Sequence, residues 1–129
     1  MTLPDGIIKL AINKVIAKSN SSIDFDSLIQ NIGSIQDVDK KLVIRITDMK
    51  VATGLGIKDG KMVEVDKVDN PDTVFSMDKN CFSAIILNKL DHRQAYYLGA
   101  IEADGESWFR DAILLGKIFD EIKKVMGTK

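Results

Sequence analysis

The residues best suited to chemistry in this chain are a histidine and a cysteine, and each type occurs once. His92 is the only histidine and Cys81 the only cysteine in 129 residues. A nucleophilic site needs a base beside its nucleophile, and no Ser-His-Asp or Cys-His grouping can be identified locally. One histidine and one cysteine also cannot close a metal shell without scattered carboxylates. We therefore predict no catalytic residue, no metal site and no cofactor.

The cysteine and a pair of acidic residues leave two interpretations each. Cys81 is the third residue of a predicted helix, where a helix N-terminus can lower a thiol pKa, but a buried apolar role is commoner. Glu102 and Asp104 alternate onto one face of a predicted strand. That spacing favours a solvated strand edge over an acid/base pair.

Charge and length restrict the class of protein. Lys and Arg number 18 against 19 Asp and Glu, a net charge of -1, which argues against a nucleic-acid partner. The chain, residues 1–129, is long enough for one domain and too short for two. A lone cysteine cannot form an internal disulfide, so nothing indicates an oxidising compartment. Lys9, Asn13 and Lys14 interrupt the N-terminal apolar pattern, so neither a signal peptide nor a membrane span is predicted there. We predict a cytoplasmic protein.

Local patterns around these residues predict a strand, two capped helices, a second strand and a final helix. Residues 73–77 alternate as a strand does, and Asp78 stands at a helix N-cap position. Asn88 suits a left-handed C-terminal turn, and Asp91 is expected to cap the next helix with Gln94 reaching back. Residues 100–104 can form a short strand after Gly99 ends that helix.

The upstream half predicts a helix followed by a three-stranded meander. Thr2 is a candidate N-cap, and the apolar residues from Ile7 to Ile16 recur at helical spacing. This amphipathic helix either docks on the domain's own sheet or lies on a membrane surface, and the first alternative is commoner. A short helix is predicted over 24–32. Strands are predicted from residue 41, over 51–58 and over 61–68, with Asp59-Gly60 as a hairpin turn.

Two glycines in the second strand remove side chains from one face. Gly54 and Gly56 therefore allow a close approach to that backbone, by a ligand or, more often, by a packed helix or a bulge.

The last helix, from about Ser107 to Met126, is apolar on more than one side. Its main stripe includes Leu115, but residues 112–115 are all apolar and at about 100° per residue they surround the helix. The helix is either simply buried within the domain, or its second side is covered by a lid, a second subunit or a bound apolar molecule. We expect Leu115 to face the sheet and Leu114 to face a cavity.

The stretch from Asp72 to Arg110 resembles the sterol carrier protein type 2 family, the non-specific lipid-transfer domains. The matching residues are Asp72, Thr73, Phe75, Phe82, Lys89, Leu90, Asp91, Ala95, Tyr96, Gly99 and Gly105. Asn88, His92 and Arg93 stand where the family usually has Gly, Pro and Gln. Ala100, Glu102 and Asp104 replace positions that are commonly basic, so we expect weak docking on anionic membranes.

The resemblance implies an α+β fold, a five-stranded mixed sheet in the order 3-2-1-4-5 with helices over one face enclosing an apolar cavity. It implies binding of fatty acyl chains or similar lipids, with a role as a lipid carrier or presenter. The candidate lipid-binding residues are Phe75, Met77, Phe82, Ile85, Ile86, Leu90, Tyr96, Trp108, Ile113 and Leu114. Transient membrane contact and either a monomer or a homodimer are compatible with the sequence. The alternative function is a non-catalytic interaction module that dimerises, or pairs with an enzyme of lipid metabolism, through the apolar C-terminal helix.

Overall fold

The computed structural model describes residues 2–21, 41–49, 53–58, 61–106 and 108–127. The helices in these ranges are α1 (Asp5–Ser21), α2 (Lys79–Ile86), α3 (His92–Tyr97) and α4 (Trp108–Met126), with a 3-10 turn at Val65–Lys67. The strands are β1 (Leu42–Ile46), β2 (Thr53–Lys58), β3 (Lys61–Glu64), β4 (Thr73–Met77) and β5 (Glu102–Asp104). The predicted 24–32 helix and the Asp59-Gly60 turn lie outside the described residues.

The strands form one mixed sheet in the order β3-β2-β1-β4-β5. β1 and β4 run parallel, and the other neighbouring strands run antiparallel. A parallel pair needs a long crossover, which here carries the chain from the β1-β2-β3 meander back to the other edge of β1. The fold class and strand order that the resemblance implied are confirmed.

The helices pack over one face of this sheet and make the main core. Leu42, Ile44 and Ile46 of β1 face that core, as their period of two predicts. Val43 points to the other face, where it contacts Val65 and Val68 in a small second cluster. The 3-10 turn and the residues after it therefore cover part of the face that the helices leave open.

The N-terminal helix docks on the domain's own sheet. The Pro4 carbonyl accepts hydrogen bonds from the Ile7 and Ile8 N–H groups, so the helix begins at Asp5 rather than beside Thr2. Ile8 and Val15 are buried, and the helix contacts β2, β3 and α4. This confirms the docked alternative, since the apolar face of α1 is used inside the domain.

The glycines of β2 are approached by the chain itself. A Cβ on Gly56 would lie 2.3 Å from Cγ2 of Val68, and one on Gly54, where φ is +154°, would lie 1.9 Å from the Ile44 carbonyl oxygen. Side chains at these two positions are therefore excluded by strand and turn packing.

A buried polar contact fixes α4 on the sheet. Thr73 and Asp111 are fully buried, and the Thr73 hydroxyl donates to Asp111 Oδ2 at 2.5 Å. Gly105 lies against the same place, because a Cβ there would come within 2.4 Å of Thr73 Oγ1. The contact joins β4, the end of β5 and the first turn of α4.

Candidate ligand-binding groove

A groove of about 530 Å³ runs between α3 and α4. The described residues that line it belong to these two helices: His92, Arg93, Tyr96 and Tyr97 from α3, and Trp108, Phe109, Ala112, Ile113, Gly116, Lys117 and Asp120 from α4. On each helix they fall into two adjacent rows at a spacing of four residues. Residues four apart lie above one another on a helix face, so the groove is the gap between two pairs of such rows. Along α4 it extends from Trp108 to Asp120, about 18 Å at 1.5 Å per residue.

One end of the groove is aromatic and open to solvent. Tyr96 and Trp108 lie with ring centroids 5.7 Å apart, and Trp108 meets Phe109 edge-on at 5.5 Å. Phe109 is 71% exposed, Ile113 54% and Trp108 37%. Contiguous exposed apolar side chains of this size mark a binding or interaction surface.

The other end of the groove carries charge. Arg93 is held by Asp91, whose Oδ1 accepts from the Arg93 backbone N–H at 2.9 Å while Oδ2 accepts from Nη2 at 2.8 Å. These hydrogen bonds from Arg93 hold the pKa of Asp91 well below its usual range. Across the groove Lys117 forms no ion pair with any residue that the structure describes. Lys117 is therefore the cation best placed to meet an anionic group in the groove.

Asp91 caps α3 through a different partner from the one predicted. The Asp91 carboxylate accepts hydrogen bonds from the backbone N–H and the guanidinium of Arg93. The Gln94 N–H donates to the backbone carbonyl of Asp91 instead of to its side chain. The bidentate pair with Arg93 outcompetes the predicted reciprocal arrangement with Gln94, because a charged pair binds more strongly than a neutral amide. Two other predicted helix ends are confirmed: Asp78 Oδ1 accepts from the Cys81 N–H at 2.7 Å, and Asn88 is left-handed with φ 60°.

The groove wall between the two helices is made by a histidine against a glycine. A Cβ on Gly116 would lie 2.6 Å from Nε2 of His92, so the imidazole occupies the space a side chain at 116 would need. The ring also packs against Phe119, with centroids 5.8 Å apart. Burial lowers the pKa of His92 below its ordinary value of 6.5. The ring is therefore neutral at neutral pH.

Tyr96, Trp108 and Ile113 are the predicted site residues that the structure brings together in this groove. The others lie beneath it: Phe75, Met77, Phe82, Ile85, Ile86 and Leu114 are buried in the main core, and Leu90 is half-buried against it. A ligand-binding role for these seven remains a prediction. The groove residues that the prediction missed include His92, Tyr97, Phe109 and Lys117. Together with the other lining residues they form rows at a spacing of four along two helices, which is a signal in the sequence, but it indicates a shared face only once both helices are known to be adjacent.

The cysteine lies below the groove in the core. Burial raises the pKa of the Cys81 thiol to about 11, and the nearby Asp78 carboxylate adds to the rise. The buried interpretation is thus the one the structure agrees with. Across the described ranges no group of three or more His, Cys, Asp or Glu side chains could hold a metal ion. The helices described here include none that is long and apolar enough to cross a membrane.

Comparison with known proteins identifies the architecture. No protein-family model matches the chain, and neither does any curated protein sequence. Among solved structures, sterol carrier protein 2 from Yarrowia lipolytica in its apo form aligns with a TM-score of 0.63 and 13% identity, over 95% of this chain and 97% of that one. This chain has the sterol carrier protein 2 fold.

Two further matches differ in how much they cover. Sterol carrier protein 2 from Aedes aegypti, solved in complex with the C16 fatty acid palmitate, aligns with a TM-score of 0.56 and 21% identity, over 94% of this chain and 98% of that one. The sec-alkylsulfatase Pisa1 from Pseudomonas sp. is matched over 64% of this chain with 23% identity and a TM-score of 0.46, and this chain spans 13% of its length.

Proposed function

We propose that this sterol-carrier-like chain binds a single-tailed amphiphile, with fatty acids as the first class to test, in the groove between α3 and α4. The observation that carries the proposal is the groove's polarity along its length, from exposed aromatic side chains at Trp108 to Lys117, a cation with no ion pair among the described residues. The palmitate complex of the Aedes aegypti protein supports the ligand class. In this proposal the protein is a lipid carrier or presenter, and residues 1–129 form a single lipid-binding domain. No residue is given a catalytic role.

The apolar tail supplies most of the binding free energy. Burying about ten methylenes at roughly 0.8 kcal/mol each contributes about 8 kcal/mol before the cost of ordering the ligand. Micromolar affinity is therefore the upper limit we expect. Because the groove is apolar and open along one side, it distinguishes neighbouring chain lengths by only about 1 kcal/mol per methylene. An open groove also permits exchange, which a carrier requires.

The head group is proposed to lie at the charged end. Lys117 can pair with a carboxylate, whereas Arg93 is already held by Asp91 and Asp120 repels an anion. A single partly exposed ion pair adds little free energy, about 1 kcal/mol at most. The head group is thus expected to set orientation more than affinity.

The tail site is tested by titrating the protein with dodecanoic acid and following Trp108, the only tryptophan in the sequence. Ile113→Asp should weaken binding at least tenfold, because it places a carboxylate on the apolar floor. Leu10→Asp is the matched control, since Leu10 is similarly exposed, at 49%, but lies on α1 outside the groove. No response in the folded parent protein, or equal losses in both variants, would refute the groove as the site.

The head-group assignment is tested by comparing an acid with an alcohol of the same length. Lys117→Gln should weaken dodecanoic acid about fivefold, equivalent to about 1 kcal/mol, and leave 1-dodecanol unchanged. Lys14→Gln, on the exposed side of α1, controls for the loss of one positive charge. If Lys117→Gln weakens the binding of dodecanoic acid and of 1-dodecanol equally, Lys117 acts through packing and the proposed orientation of the ligand is wrong.

The same exposed side chains favour a second candidate, self-association as a non-catalytic interaction module. Tyr97 is 89% exposed and Leu98 and Phe109 are each 71% exposed, and Tyr97 and Phe109 both line the groove. Light scattering over a range of concentrations distinguishes the candidates. A lipid-free dimer that Phe109→Asp converts to monomer favours the interaction module, and a monomer that purifies with lipid favours the carrier.

A further inference from the structure

The contact between His92 and Gly116 packs a titratable ring tightly between α3 and α4. Position 116 has no side chain, and the imidazole fills its place with Nε2 2.6 Å from where a Cβ would stand. The other side of the ring packs on buried Phe119, and the His92 side chain keeps only 24% of its exposure. A proton added to this ring therefore has to be accommodated between two packed helices.

Charged groups from both helices face the imidazole and oppose one another. On the α3 side, Asp91 Oδ1 lies 3.9 Å from Nδ1, and Arg93 follows it. On the α4 side Asp120 favours the protonated ring and Lys123 disfavours it, with Lys117 lining the same groove. The two carboxylates are offset by the nearby cationic side chains, so little net electrostatic attraction for a proton remains. Burial therefore dominates and lowers the pKa of His92.

We propose that His92 makes the groove pH-sensitive: protonation of its ring loosens the contact between α3 and α4 and weakens the binding of an uncharged apolar ligand. The ligand half of this inference rests on the proposed function. The conformational half depends only on the free protein.

The sign follows from linkage. A ligand tail lying in the groove covers His92 and removes more water from the ring, which disfavours the protonated form further. A ligand that prefers the neutral ring must lower the pKa of that ring by the same factor. Affinity for an uncharged ligand is therefore highest above about pH 6.5, falls as the pH falls through the pKa of His92 in the free protein, and levels off below the pKa of His92 in the complex. A carboxylic acid would obscure this effect, since it titrates itself and attracts the imidazolium.

The decisive measurement uses the single histidine of the sequence, whose ring protons give one unambiguous NMR titration curve. In the free protein we expect a pKa below about 6.5. With saturating 1-dodecanol, bound at pH 7.5 by calorimetry, we expect the pKa to fall by a further ~0.5, equivalent to about threefold weaker binding by the protonated protein. Binding at pH 7.5 without any change in the pKa overturns the inference and leaves the proposed function intact.

The conformational half is read from Trp108. Its ring touches Tyr96, one turn along α3 from His92, so a shift of α3 alters its surroundings. Between pH 7.5 and 5 the emission of Trp108 should change with the midpoint of the histidine titration, and His92→Gln should abolish that change. An identical pH response in His92→Gln, or a free pKa at or above the ordinary value, overturns this half. Failure of 1-dodecanol to bind the folded protein overturns the ligand half together with the proposed function, while Trp108 still decides the rest.

Discussion

Burial sets the pKa shifts of the single cysteine and the single histidine, whereas hydrogen bonds from Arg93 set that of Asp91. Cys81 and His92 have the side chains best suited to chemistry in this sequence. The pKa of each is shifted in the direction that favours its neutral form, mainly by burial. The sequence alone predicted a buried cysteine correctly from its place in an apolar helix. His92 is the first residue of α3, and its ring packs inward because position 116 is a glycine.

Cys81 should be nearly inert toward thiol reagents in the folded protein. With a thiol pKa of about 11, only about 0.1% is thiolate at pH 8, against roughly a quarter for an ordinary cysteine. Together with burial, this predicts that Ellman's reagent reacts at least about 100-fold more slowly with native protein than with protein in guanidinium. Comparable rates in the two conditions would show that the thiol is accessible.

Thr73 should contribute measurably to stability through its contact with Asp111. Thr73→Val keeps the shape of the side chain but removes a hydroxyl that donates to a buried carboxylate, which we expect to cost about 1 to 3 kcal/mol in urea unfolding. Thr47→Val is the control, because Thr47 is exposed and its hydroxyl makes a longer bond, 3.3 Å, to the Met77 carbonyl. Equal losses for the two variants would mean that the short buried bond adds nothing.

At the scale of elements, local patterns predicted most helices and strands, and non-local packing decided the rest. The period of two predicted β1 and β4, and side-chain capping predicted where α2 starts. The third strand was predicted to run to Val68 but ends at Glu64, because Val65 and Val68 turn back to cover Val43. The strand order came from the family resemblance, since periodicity says nothing about which strands are neighbours.

The groove itself could not be predicted from the sequence. Its two walls are on helices separated by β5, and neither wall is unusual by itself. In α4 the prediction separated Leu114 from Leu115, but both are buried in one core. They lie about 100° apart, and the apolar face of a helix on a sheet is at least that wide. Ile113, one more step around the helix, lines the groove, and Leu114 and Leu115 do not.

This placement changes the expected outcome of substitutions in α4. Leu114→Ala and Leu115→Ala should each cost about 2 to 5 kcal/mol of unfolding free energy, because both leave a void in the core. Ile113→Ala should cost less than about 1 kcal/mol and weaken binding of dodecanoic acid, since the side chain is 54% exposed in the groove. Urea melts and Trp108 titrations of the three variants provide the measurement. A small loss for Leu114→Ala with altered binding would instead place that residue at a cavity.

At the scale of the whole molecule, the distribution of charge decides what surfaces it can approach. The net charge is -1. β5 pairs with β4 on one side, and its Glu102 and Asp104 are exposed. Charges on a strand edge oppose pairing with another chain, and here they also oppose an anionic bilayer.

We therefore expect weak, salt-sensitive binding to anionic vesicles. Each basic residue near such a surface contributes only about 1 kcal/mol, and the two acidic residues of β5 oppose that attraction. The double variant Glu102→Lys/Asp104→Lys should bind more tightly in flotation at low salt and lose the gain at about 1 M salt, where the screening length is about 3 Å. Glu64→Lys/Asp66→Lys, at the other edge of the sheet, is a control of equal charge. Strong binding of the parent protein that persists at high salt would contradict this account. It would point to apolar insertion, for which Ile7 and Leu10 on α1 are exposed, and Leu10→Asp would then separate that helix from β5 as the anchor.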